Sequence, residues 1–239
     1  MRLDPGKIEL RVIKRNSHVK GKDVLEIGCG SGRLSFPASK GAKSYTGIDT
    51  DRKAIAEAAR RANGINNLAF RYGTGNRLSF DDRSFDVVFL FMTLHEIPLP
   101  KQSKTLSEIH RVLRPNGELI LVEPLPYGEV QSLYDIFNSA LRHMNHPKAV
   151  LHAQKAISDA VRKKMFRRMK RVRYDIDWHF SDVGELFRLF CKEYSVPRND
   201  HRTNRFLKHA KLLIPGKFDK KSLIVFDEMQ LSILKRFKE

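Results

Sequence analysis

The sequence has little with which to build a crosslinked, cysteine-metal or membrane-spanning protein. Its 239 residues include two cysteines, Cys29 and Cys191, far apart and not in a CxxC pair. That argues against a disulfide framework and a cysteine metal site. His143, His146 and His152 have no carboxylate or cysteine beside them in sequence, so surface helix histidines are expected and no metal. Long apolar runs are also missing: the longest is about Val87 to Met92, against the ~18 to 20 residues of a spanning helix. Met1 to Lys14 is charged rather than signal-like. The expectation is a soluble, cytoplasmic chain with reduced thiols and no transmembrane segment.

Acid is in short supply: 27 acidic residues against 45 basic ones leave a formal charge of +18. Residues 128–173 hold eleven basic and three acidic residues, a net +8, against +7 for residues 1–127 and +3 for residues 174–239. Such a field favours anionic partners: RNA, an anionic membrane surface, or a phosphorylated or carboxylated small molecule. The competing reading is a solvated face.

From Lys22 to Pro124, strand-length apolar runs alternate with amphipathic helical stretches, the signature of a parallel sheet with crossover helices. Strands are expected at Asp23–Ile27, Ser44–Asp49, Leu68–Tyr72, Phe85–Met92 and Gly117–Glu123. Asp51 precedes the helical run from Ala54 as a cap, and Arg114-Pro115-Asn116-Gly117 stops the helix before the fifth strand. An N-terminal helix is expected around Pro5 to Asn16. After Pro126, apolar residues recur at helical spacing from Val130 to Met144 and from Val150 to Met169. Tyr174–Phe180 alternates as a strand, Ser181–Tyr194 reads as a helix, and Met229–Arg236 as a returning strand. The fold class is therefore α/β: a Rossmann-like, doubly wound, mostly parallel seven-stranded sheet with a helical insertion after the fifth strand. The expected layout is one domain, with residues 1–20 an N-terminal helix, 21–127 a cofactor-binding core, 128–173 a basic helical insertion, and 174–239 completing the sheet.

Val24-Leu25-Glu26-Ile27-Gly28-Cys29-Gly30-Ser31-Gly32 runs from a buried strand into a glycine turn, where backbone can approach a ligand closely. Asp49 follows Gly28 by 21 residues, at a strand end where a carboxylate can accept ribose hydroxyls. Together they indicate an adenosine-containing cofactor. A dinucleotide fingerprint needs GxGxxG, but its sixth position here is Arg33. Glu26, two residues before Gly28, suits a positively charged ligand better than a pyrophosphate; a sulfonium fits.

These residues resemble the class I S-adenosylmethionine-dependent methyltransferases, within them the quinone-biosynthesis and small-molecule group. Val24–Leu34 resembles that family's first motif, Gly47-Ile48-Asp49 its second, and Leu78–Val88 the approach to the fourth strand. Leu94-His95-Glu96-Ile97 and Glu108–Leu119 complete the series. The resemblance implies S-adenosylmethionine as cofactor, with S-adenosylhomocysteine as product. It places Gly28, Cys29, Gly30 and Gly32 at the methionine end, Glu26 below the turn, and Asp49 with Thr50 at the ribose. Thr74, Gly75 and Asn76 fall at the adenine, with Phe91 nearby. Thr74 stands where the family usually has an aspartate for the adenine amino group, and Asn76 or a backbone group would compensate.

Methyl transfer needs alignment and water exclusion more than a nucleophile. For an acceptor carrying a proton, His95 is the candidate base, with Glu96 and Glu123 behind it; the competing reading has His95 capping the strand-end loop. Three functions follow. The first is methylation of a small, anionic or uncharged acceptor, with residues 128–173 as a lid over a cavity bounded by Tyr127, Tyr134, Phe137 and Trp178. The second is methylation of RNA or protein docked on the basic segment. The third is a binding protein that has lost catalysis. The run Arg162 to Arg171 reads as an amphipathic cover helix or as a nucleic-acid or membrane-facing helix. Substrate and oligomeric state are not written in the sequence.

Overall fold

The computed structural model describes residues 2–141, 146–193, 200–213 and 222–237. In chain order the elements are β1 (Arg2–Leu3), α1 (Ile8–Asn16), β2 (Asp23–Ile27), α2 (Ser35–Ala38), β3 (Ser44–Asp49), α3 (Arg52–Arg61), β4 (Leu68–Tyr72) and β5 (Phe85–Phe91). A short 3-10 turn (Leu94–Glu96) leads to α4 (Leu99–Val112) and β6 (Leu113–Pro124). Then come α5 (Glu129–Leu141), α6 (His146–Arg162), β7 (Phe166–Phe180), α7 (Val183–Glu193), α8 (Asp200–Leu213) and β8 (Leu223–Arg236). The strands form one sheet in the order β1-β7-β8-β6-β5-β2-β3-β4. It has eight strands rather than the expected seven, because Arg2–Leu3 adds a two-residue strand antiparallel to Trp178 and His179 of β7.

The chain divides into two compact units. The larger comprises Leu10–Glu123, His152–Val172 and Gln230–Glu239 and contains the parallel strands. β2 pairs in parallel with both β3 and β5, β3 with β4, and β5 with β6. The chain thus winds outward one way through β3 and β4, then returns to β5 and β6 on the other side of β2. That reversal puts a crevice at the carboxyl ends of β2 and β5, where ligands bind in open α/β sheets. Val87–Phe91 and Leu119–Val122 are buried, as continuous apolar runs on central strands should be. Leu25, Val88, Leu90, Leu106, Ile109 and Leu121 form one core with Ile157 and Phe166. Asp51 caps α3 as expected, its carboxylate accepting the Lys53 and Ala54 amides at 2.8 and 3.1 Å. β6 begins at Leu113, four residues earlier than the sequence suggested, with Asn116 in the left-handed region (φ 64°) and a register shift between Phe85 and Val87.

The basic run Arg162–Arg171 is corrected. Helix α6 stops at Arg162, and Phe166–Phe180 is one long strand. The helix end is closed by Lys164 at φ 57°, with the Lys164 amide donating to Val161 and the Met165 amide to Ala160. This is a left-handed helix terminator without the glycine that usually announces one.

The smaller unit comprises Met1–Glu9, Pro124–Leu151 and Arg173–Met229. Asp4 caps α1 through the Ile8 and Glu9 amides at 2.7 and 2.9 Å. Tyr134 and Phe137 of α5 pack among Phe187, Phe190 and Phe206 of α7 and α8, with ring centroids 4.3 to 6.1 Å apart. Helix α8 was not anticipated. His143, Met144 and Tyr194 lie outside the described residues. Among the described residues no helix is long and apolar enough to cross a membrane.

Candidate active site

At the crevice of the larger unit lies a cavity of about 290 Å³. It brings together six of the residues singled out in sequence: Gly28 at the end of β2, Asp49 and Thr50 at the end of β3, and Thr74, Gly75 and Asn76 beyond β4. These three strand-end segments, separated by about twenty residues or more, reach one opening because parallel strands all end on the same side.

The glycine turn is held by backbone. The Gly28 and Cys29 amides both donate to the Ile48 carbonyl, at 2.8 and 3.1 Å, and the Gly30 amide donates to Asp49 Oδ2 at 2.7 Å. Asp49 Oδ1 accepts the Asp51 amide at 2.8 Å. Asp49 therefore clips the turn to the end of β3 while each oxygen keeps lone-pair capacity for a ligand hydroxyl. Gly28 has φ 75°, and a Cβ there would lie 2.3 Å from the Thr93 methyl. At Gly30 (φ 51°) a Cβ would meet nothing, which leaves room for a ligand against the backbone.

Glu26, Cys29, Gly30, Gly32, Phe91 and His95 are not among the residues lining this cavity. Glu26 is buried behind the turn, its Oε2 accepting the hydroxyls of Ser35 (2.5 Å) and Tyr45 (2.9 Å). Burial raises its pKa to about 7, against the lowering effect of the two hydroxyls. It holds the turn to α2 and β3. Cys29 is buried, and desolvation pushes its thiol far up, so no reactive thiolate is present. Phe91 lies under the Arg33 guanidinium, 4.8 Å from the ring centroid.

His95 is buried in the 3-10 turn after β5. Its Nδ1 lies 2.5 Å from Glu123 Oε2 and its Nε2 3.1 Å from Glu96 Oε1. Glu123, at the end of β6, also accepts the Thr93 and Leu94 amides at 3.1 and 2.7 Å. Burial alone would lower the His95 pKa, but the Glu123 carboxylate, helped by Glu96, outweighs it and lifts the value to about 10. A protonated imidazole has no lone pair with which to accept a proton. His95 and Glu123 together fasten the loop after β5 to the end of β6.

On the far side of the cavity stands Glu96, named in sequence as a secondary base candidate, while the sequence reading missed Met92, Thr93, Ile97, Pro98 and Lys101. Met92 and Thr93 were findable, since they follow a buried parallel strand at its carboxyl end. Met92 has φ 54°, a costly conformation for a non-glycine residue and one that clusters at functional sites. Ile97 to Lys101 enter only because the chain folds back into α4. Of the four residues expected to bound an acceptor cavity, Tyr127 is exposed while Tyr134, Phe137 and Trp178 are buried, the first two filling the aromatic cluster.

Residues 24–117 match the methyltransferase domain family. The chain is 35% identical over 153 residues to phthiotriol/phenolphthiotriol dimycocerosates methyltransferase 1 of Mycobacterium ulcerans, covering 59% of this chain and 54% of that protein. It is 36% identical over 125 residues to the fatty-acid O-methyltransferase of Mycolicibacterium smegmatis, covering 49% and 40%. It thus spans about half the length of the curated relatives it matches. The crystal structure of the YcgJ protein of Bacillus subtilis has the same fold, with a TM-score of 0.67 over 96% of this chain and 98% of that one at 19% identity. The glycine turn and the switch-point crevice thus both lie in the stretch that matches the methyltransferase domain family.

Proposed function

We propose that the chain binds S-adenosylmethionine in the cavity at Gly28, Asp49 and Thr74–Asn76 and methylates a small, lipid-like acceptor. The observation that carries this reading is the convergence of those residues on one opening, with Asp49 clipping the glycine turn. The donor set suits the group: Asp49 and Glu96 give the cavity two carboxylates against one cation, Lys101, which favours a positively charged ligand over a pyrophosphate. When bound, the cofactor supplies a methyl group already activated for displacement.

The protein's own part is positioning. Asp49 holds the ribose hydroxyls, Thr74 and Asn76 meet the adenine edge, and the Gly30 backbone leaves room for the methionine end. Glu123 and His95 fix the Thr93–His95 turn, so that Met92 and Thr93 wall the cavity rigidly. Met92, Ile97 and Pro98 make its rim apolar, with Lys101 beside them, which fits an acceptor with an anionic or polar head and an apolar body. The two relatives are named for dimycocerosate lipids and for fatty acids.

Isothermal titration with S-adenosylhomocysteine, and mass spectrometry of long-chain fatty acids and long-chain phenols incubated with the cofactor, test the reading. Micromolar binding is expected, weakened about tenfold or more by Asp49→Asn through loss of a charge-assisted hydrogen bond. A correctly folded sample that binds no cofactor overturns the proposal.

A further inference from the structure

The larger unit has another concavity, at the end of the sheet where the parallel strands begin. Asn116 of β6, Arg167 of β7, and Lys235, Arg236 and Phe237 at the end of β8 line a cavity of about 360 Å³. No carboxylate is among these lining residues. Arg236 is more than nine-tenths buried and donates to the Leu113 carbonyl, which fixes one cation in the wall. Arg167 and Lys235 make no ion pair among the described residues.

The neighbouring cavity shows what neutralised cations look like in this protein. It shares Arg236 and is lined also by Asp82, Arg83, His110 and Arg111. There Arg111 pairs with Asp82 at 2.8 Å and Glu108 at 3.0 Å, and donates to the carbonyls of Leu78 and Phe80. Its donors are spent on the fold. Around Arg167 the opposite holds: neither Arg167 nor Lys235 has a carboxylate within ion-pair distance among the described residues. Arg167 and Lys235, with no ion pair among the described residues, repel each other across the cleft beside the buried Arg236, and a bound anion relieves that repulsion.

We propose that this cleft binds a phosphate group, held by Arg167, Lys235 and Arg236 with the Asn116 amide. Three cations converging from two strands suit a tetrahedral dianion with several acceptor oxygens, and the cavity has the size of a small-ligand site. The phosphate can be carried by a soluble small molecule or by a lipid headgroup. The proposal goes beyond the methyl-transfer reading and does not rest on it.

The test is titration of the full chain with inorganic phosphate and glycerol phosphate, followed by calorimetry and thermal unfolding, against chloride at matched ionic strength. Saturable binding and a raised unfolding temperature are expected. The Arg167→Gln/Lys235→Gln double variant should bind about tenfold more weakly or worse, while Lys53→Gln/Arg60→Gln, which removes two exposed cations of α3, should not change binding. Co-sedimentation with vesicles containing phosphatidic acid, but not with neutral vesicles, would assign the phosphate to a lipid headgroup. Glycerol phosphate binding without vesicle binding would assign it to a soluble molecule. Equal effects of chloride and phosphate, undiminished binding by the Arg167/Lys235 variant, or RNA binding through these residues without any response to phosphate would overturn the proposal. S-adenosylhomocysteine binding by the same variant should match that of the unaltered chain, so failure of this site and failure of the methyl-transfer reading are separately visible.

Discussion

The two ends of the parallel sheet treat their carboxylates differently. At the end where the strands start, Asp23 and Asp86 share the Arg114 guanidinium at 2.9 and 2.8 Å, and Asp86 also accepts the Asp23 amide. At the end where they finish, Asp49 and Glu123 are held by backbone amides and Glu26 by two hydroxyls. Arginine cancels the charge at one end, whereas at the other Asp49 remains an acceptor at the cavity while Glu26 and Glu123, the latter paired with His95, brace the loops behind it. An ion pair at the surface is a local staple of small value, while buried carboxylates that order a glycine turn and a strand-end loop set the geometry of a site.

The largest effect should come from Gly28→Ala, which forces a Cβ into Thr93 in a positive-φ backbone. About 3 kcal/mol of destabilisation or more is expected by chemical denaturation, together with loss of cofactor binding; a variant within 1 kcal/mol of the unaltered chain would mean that the turn is soft. Next, Glu123→Gln leaves His95 buried without its main partner, at a cost of about 3 kcal/mol. With the folded pKa of His95 raised to about 10, its pairing stabilises fully below its unfolded value of 6.5, and that stability is lost as pH rises towards 10. The variant should flatten this decline, as read from denaturation midpoints across the range.

Glu26→Gln should flatten a decline of the same sign, in a lower pH window. A carboxyl raised from 4.5 to about 7 makes the folded chain bind more protons than the unfolded one, so stability falls as pH rises from 4.5 to 7. Removing the titration should leave the variant about 3 kcal/mol more stable than the unaltered chain at pH 8, relative to the difference at pH 4.5. An unchanged pH profile would place the Glu26 carboxyl in a wetter setting. Arg114→Gln, at the other end of the sheet and partly exposed, should cost about 1 kcal/mol or less and leave cofactor affinity untouched. A large loss of affinity there would break the contrast between the two ends.

β2, β3 and β4 have the residue bounds that their apolar runs suggested, because a parallel strand flanked by turns carries its whole signal locally. The same holds for the Asp51 cap. The run from Met165 to Met169 read as helix because its methionines continue the spacing of Val161. The terminator at Lys164 is a backbone conformation of an ordinary residue, and pairing within the sheet then favours extended chain. The site was half legible for a related reason: glycines and an aspartate at fixed spacing mark their own turn. Pro98 and Lys101 carry no local mark, and reach the cavity because α4 starts beside it.

The sequence by itself determined the parallel core, the glycine turn and the side of the sheet on which a ligand would sit, since each follows from residues within one strand and its loop. Tertiary structure decided what each charge does. Which groups hold Glu26 and His95, and whether the basic run is a helix or a strand beside an acid-free cleft, depend on neighbours 19 to 70 residues away in the chain. Burial and pairing with those neighbours set both protonation and direction, and neither is encoded in local spacing.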